Sequence, residues 1–224
     1  MAGELAHPYS VSYALNWAVM LHIYRRETRA VHERTEKMVA VAREHGFAMW
    51  NASGPIWRGW VLAEEGQKRE GIALMGQGLA TWLATGGYLF RPYYLGLLAE
   101  ACRKAGQAAE GQRLLAEALA AAHKTDERFY EAELHRLMGE LLLEEVPLNV
   151  SEAENSFTRA LDVARRQEAK SLELRAATSL ARLWVEQSRR VEARDLLAPV
   201  YGWFTEGLDT ADLKDAKALL DELA

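Results

Sequence analysis

The stretch Gly96–Ala120, GLLAEACRKAGQAAEGQRLLAEALA, decides the fold. Leu95, Leu98, Ala99 and Cys102 recur at i, i+3, i+4 and i+7, which is one face of an α-helix. Gly106 follows the basic pair Arg103 and Lys104. Cations in a last turn suit the helix dipole, and a Gly just past it takes the left-handed conformation that ends the helix. The second half places Gly111, Leu115, Ala118 and Leu119 inward. Small residues at Gly111 and Ala118 let two helices approach closely, with Leu115 filling the gap. Neither helix can bury its apolar stripe alone, so the pair implies neighbours.

Shifting the frame finds them. Forty residues back, Gly106, Gly111, Leu115, Ala118 and Leu119 become Gly66, Gly71, Met75, Gly78 and Leu79. Going forward, Ala99 matches Gly139, and two additional residues fall in the Val146–Val150 turn. Beyond that turn the anchors return as Ala153, Phe157, Ala160 and Leu161, then as Ala193, Leu197, Val200 and Tyr201. A period of this length marks a helical solenoid, in which each unit contacts only its neighbours.

The spacing Ala153, Phe157, Ala160, with Gly139 in the preceding helix, resembles the tetratricopeptide repeat (TPR). The units here are about 40 residues rather than 34. The usual Trp and Tyr of the first helix are mostly replaced and the closing Pro is missing. The strings RGWVLAEEGQ, RPYYLGLLAEACRKAGQ, ERFYEAELHRLMGELLL and ARDLLAPVYGWFTEG further resemble the C-terminal repeat region of bacterial multidomain signalling proteins. Those proteins carry a class III adenylate or guanylate cyclase-like domain, then a STAND-type ATPase, then such repeats. The resemblance implies an all-α, right-handed TPR-like superhelical solenoid and a non-catalytic, cytoplasmic interaction or scaffold arm.

Composition agrees with a solenoid and narrows the partners. Half of the 224 residues are hydrophobic, which suffices for a continuous inter-helix core. A net charge of −5 argues against non-specific nucleic-acid binding. Cys102 is the single cysteine, which excludes an internal disulfide and a cysteine-based metal site. It sits on an apolar face and reads as a buried structural thiol. The first residues, MAGELAHPYS, lack the basic segment and apolar run of a signal peptide, and no stretch is apolar enough for a membrane span.

In chain order, residues 1–7 read as a disordered lead and 8–224 as a single repeat domain. Its five hairpins cover about 8–46, 47–87, 88–126, 127–168 and 169–208, with a capping helix at 210–223. The first helix, SVSYALNWAVMLHIYRR, is apolar almost all round. Terminal solenoid helices are normally polar outside, so a cover is expected, upstream repeats of a longer parent or another copy, with a wide core face as the competing reading. Ser53-Gly54-Pro55 predicts a kink or late start in the third helix. The seventh helix is expected over Glu127–Glu145, stopped by Pro147. Ser151 followed by Glu154 predicts a capping box. Pro199 predicts a kink in the tenth helix. The last helix, ADLKDAKALLDEL, has one apolar stripe and a Lys/Asp face, as a capping helix should.

No catalytic, metal or cofactor site is legible. GQK at Gly66–Lys68 lacks Walker A spacing, and the six histidines have no HExxH arrangement. His22 and His135 read as packing residues. The stronger candidate is a surface, because the TPR resemblance implies that first helices line the concave side. That assigns Tyr13, Asn16, Met20 and Tyr24, then Trp60, then Tyr93, Glu100 and Arg103, then Arg136 and Glu140, then Arg175 and Arg182 to a groove for a protein or peptide partner. Aromatic and Arg side chains dominate binding energies in such settings. Two alternatives stand beside it: self-association through the first helix to form a homo-oligomer, and small-ligand sensing near Trp57, Trp60 and Tyr93. For Tyr13, Met20 and Trp60 the competing reading is plain core packing. For the arginines it is a surface salt-bridge lattice.

Overall fold

The computed structural model describes residues 7–145 and 149–224. These form α-helices and connecting turns, with no strand among the described residues. Two compact units divide at Gln107 and Ala108. Unit 1 holds α1 (Pro8–Tyr24), α2 (Thr28–Glu44), α3 (Ala48–Glu64), α4 (Lys68–Ala84) and α5 (Arg91–Lys104). Unit 2 holds α6 (Ala108–Thr125), α7 (Glu131–Glu145), α8 (Val150–Arg166), α9 (Lys170–Glu186), α10 (Arg190–Gly202) and α11 (Ala211–Glu222). The division falls inside the stretch that decides the fold, so α5 and α6 each belong to a different unit.

A 20-residue metre sets the helix ends. Arg26, Gly46, Gly66, Gly86, Gly106 and Asp126 all have positive φ, and Glu168 and Ser188 resume the spacing. Each sits just past a helix. After Arg26, Gly46, Gly66, Gly106, Glu168 and Ser188 the next amide bonds back five residues, as in Glu27 N to His22 O at 2.9 Å, Phe47 N to Ala42 O at 2.8 Å, Gln107 N to Cys102 O at 2.9 Å and Arg189 N to Trp184 O at 2.8 Å. This is the Schellman closure, which satisfies carbonyls that the helix end orphans. Glycine enters that conformation without a Cβ penalty; Arg26, Asp126, Glu168 and Ser188 are held in it at a strain of about 1–2 kcal/mol each.

In unit 1, α1 packs on α2, α2 on α3, α3 on α4 and α4 on α5. Alternate helices also meet, α1 with α3 and α3 with α5. Gly59 and Gly71 bring the α3 and α4 backbones together, since a Cβ on Gly59 would lie 2.6 Å from the Gly71 carbonyl oxygen. Unit 2 repeats the scheme: α6 on α7, α7 on α8, α8 on α9, α9 on α10, with α7 meeting α9. Helix α11 closes on α9 and α10 as a capping helix. Gly139 is occupied by the Phe157 ring, whose Cε1 is 2.5 Å from where a Cβ would stand. The small–aromatic pairing quoted for the TPR resemblance is therefore a physical contact.

Several local expectations change. His7 caps α1: its Nδ1 accepts from the Ser10 amide at 3.4 Å. Residues 1–6 lie outside the described residues. Helix α3 runs unbroken from Ala48 through Pro55, so there is no late start. The Asp126 turn delays α7 to Glu131. Pro147 lies outside the described residues. Ser151 is inside α8, whose cap is Asn149 without a side-chain bond, so no capping box forms.

Candidate functional site

The first helices α1, α3 and α5 of unit 1 carry their inner residues into one ring-rich core. Trp57 is fully buried and donates its Nε1–H to Asn16 Oδ1 at 3.2 Å. Its ring lies 6.2 Å from Tyr93 and 5.2 Å from Tyr94. Trp82 extends the cluster to Tyr94, edge-on at 5.5 Å. Asn16, Met20, Trp60 and Tyr93 are all buried. Their side-chain surface is therefore used largely in packing. Tyr24 is half-buried and stacks on Tyr93 at 6.1 Å with 21° between planes. Tyr13 is exposed and meets Trp17 at 6.0 Å and Trp50 at 6.2 Å, both edge-on. Glu100 pairs with Lys104 at 3.1 Å, and Lys104 also meets Glu64. Arg103 is half-buried.

Unit 2 builds its first-helix face from charge. Arg136 is buried and gripped as a fork by Glu133, with Nε to Oε2 at 3.0 Å and Nη2 to Oε1 at 2.9 Å. Its Nη1 donates to Glu140 at 3.0 Å and to Ser179 Oγ at 3.3 Å. Ser179 Oγ in turn donates to Glu140 Oε1 at 2.7 Å. On α9, Arg175 donates from Nε to Asp212 of α11 at 2.6 Å and from Nη1 to Glu133 at 3.4 Å. Burial works against the Arg175 charge, but Glu133 and Asp212 outweigh it and hold the guanidinium above its ordinary pKa. The network thus joins α7, α9 and α11 through groups whose lone pairs and protons are mutually satisfied, as a buried ionic cluster requires.

Arg182 stands apart from this network and is exposed. It borders a shallow depression of about 330 Å³ between α9 and α11, lined by Val185, Glu186, Asp215, Ala218, Leu219 and Glu222. The floor is apolar and three of the rim residues are carboxylates, an arrangement that suits an aliphatic stem ending in a cation. Of the expected groove residues in unit 2, Arg136 and Arg175 are bound within the network, Glu140 is partly open and Arg182 is open.

Asp212 and Ser179 belong to this site, and the inner-face assignment from sequence omits both. The 40-residue register offers a signal for Ser179, which falls one period after Gly139. Asp212, in the first turn of the capping helix, has no such signal.

No group of three or more His, Cys, Asp or Glu able to hold a metal occurs among the described residues. No helix among them is long and apolar enough to cross a membrane.

No protein-family model matches the sequence, and no curated protein matches it. Solved structures do. A singly substituted form of the nearly identical TPR-like repeats of a Podosopora anserina protein assigned as a kinesin light chain superposes with a TM-score of 0.58. The two are 19% identical over 88% of this chain and 95% of that one. The same repeats without that substitution give 0.55 and 17% identity, covering 96% and 97%. Together with the helix order and the Gly139–Phe157 contact, these likenesses make the chain an all-α array of TPR-like repeats.

Proposed function

We propose that the chain is a non-catalytic protein-interaction module whose partner docks along its first-helix face. The observation that carries this is the depression beside Arg182, where the first helix α9 and the capping helix α11 leave apolar Val185, Ala218 and Leu219 beside one guanidinium and three carboxylates. The network behind it supports the reading. Arg136, Arg175, Glu133 and Asp212 fix α7, α9 and α11 before any partner arrives, and preorganisation lowers the entropic cost of binding. The partner is a protein or peptide segment presenting a basic side chain to the Glu186, Asp215 and Glu222 rim. By the resemblance of its repeat strings, the module is a regulatory arm of a cytoplasmic bacterial signalling protein of the cyclase–ATPase type. Docking there would bias the ATPase's resting state.

Photo-crosslinking from two positions tests the docking. A photoreactive residue at Arg182 should capture a discrete partner in cells of the source organism, and one at exposed Arg194 should not. Equal capture from both positions, or none from Arg182, would contradict the proposal.

A further inference from the structure

The outer face of α1 is the exception in an otherwise regular register. Tyr13, Trp17 and Leu21 are 49%, 43% and 57% exposed. One period on, Ser53, Trp57 and Val61 of α3 are buried. The same columns are buried again at Tyr93, Leu97 and Ala101, at Glu133, Leu137 and Leu141, and at Glu173, Ala177 and Ala181. In α3 these columns face the preceding pair of helices. Trp57 reaches Asn16 of α1, and neighbouring Gly54 lies against Val39 of α2. The α1 stripe is therefore the side that α3 turns toward a preceding pair, and it carries apolar rather than polar residues.

We infer that this face is an interface between two copies of the chain, paired α1 to α1 about a twofold axis. Three observations select that occupant. From Pro8 to Leu21 the helix carries no charged residue, so two identical faces meet without repulsion. Tyr9, Tyr13, Trp17 and Leu21 repeat every four residues, and an antiparallel crossing between Tyr13 and Trp17 sets each on the other's counterpart, as an isologous contact requires. A head-to-tail stack is disfavoured, because the open side of α11 bears Lys214, Lys217 and Asp221, the last two paired at 2.6 Å. With about half of each large side chain in solvent, the stripe offers on the order of 400 Å². A standard interface takes about 800 Å² from each partner. The pairing is consequently weak and depends on concentration. It does not rest on the docking proposed for unit 2.

Sedimentation equilibrium of the full chain from about 5 to 200 μM, a range chosen for an interface of this size, tests it. The mean mass should climb toward that of a dimer. Trp17→Glu with Leu21→Glu should keep it at the monomer value while far-UV circular dichroism is unchanged. Ala14→Arg, a milder change at an exposed position on the same side of α1, should also abolish the rise. Trp203→Glu, at an exposed ring in unit 2, should leave it intact. A chain monomeric at every concentration, or a dimer indifferent to the α1 changes, overturns the inference. So does a monomer whose α1 amides become protected only when a synthetic α8 peptide is added, since that would make a helix in trans the occupant.

Discussion

Tyr93 in unit 1 and Glu133 in unit 2 occupy the same column of the 40-residue register, and both are buried. Around Tyr93 the repeat is filled with rings: Trp57, Tyr94 and Tyr24. Around Glu133 it is filled with ions: Arg136 and Arg175, with Asp212 and Glu140 beyond. The helical metre is thus indifferent to what fills the column, provided that it is filled and satisfied. The two fillings differ in how they fail. Rings lose stability in proportion to the area and cavity exposed. An ionic cluster loses most when it is half removed, because the remaining charge is stranded away from water.

That contrast gives the largest expected effect. Arg136→Met leaves Glu133 with one partner fewer in a buried site and should destabilise by about 3–5 kcal/mol. Adding Glu133→Leu should recover part of that loss, since it removes the stranded carboxylate while Arg175 keeps Asp212 as a partner. Unit 1 should show no such rescue. Trp57→Ala should lose about 3–5 kcal/mol, and adding Asn16→Leu should not restore it. Urea unfolding followed by circular dichroism reads all four. A double variant in unit 2 as unstable as Arg136→Met alone would remove the distinction.

A smaller effect in unit 2 depends on pH. Burial lowers the pKa of His135 on α7, and Glu131 only partly opposes it. The neutral imidazole is favoured in the fold, so the unfolded chain binds more protons just below the ordinary histidine value. Stability should therefore fall as the pH drops from about 6.5 toward the lowered folded pKa, with a slope below about 1.4 kcal/mol per pH step of one. His135→Gln should flatten that slope. An unchanged slope would assign it to another group.

The sequence carries the helical repeat well because its signals are local. Gly46, Gly66, Gly86 and Gly106 announce helix ends, whereas Arg26, Asp126, Glu168 and Ser188 adopt the same conformation without a residue type that reveals it. This is why sequence places the start of α7 four residues early. The site is less legible. Periodicity says which residues share a helix face, but not whether the next first helix covers that face. Asn16, Met20, Trp60 and Tyr93 have the spacing of groove residues and are buried by such neighbours. Arg182 is the assigned unit 2 residue that the structure leaves open. The tie between Arg175 and Asp212 spans 37 residues and depends on where the capping helix lands.

The register itself is the central claim, and a glutamate scan down one column tests it most directly. Trp17→Glu, Trp57→Glu, Leu97→Glu, Leu137→Glu and Ala177→Glu are unfolded in urea below the dimerising concentration. Trp17→Glu should stay within about 1 kcal/mol of the natural chain, while each of the other four should lose at least about 3 kcal/mol, because a lone carboxylate cannot be buried unpaired. A Trp17→Glu chain as unstable as Leu137→Glu, or an Ala177→Glu chain as stable as the natural one, would contradict the account.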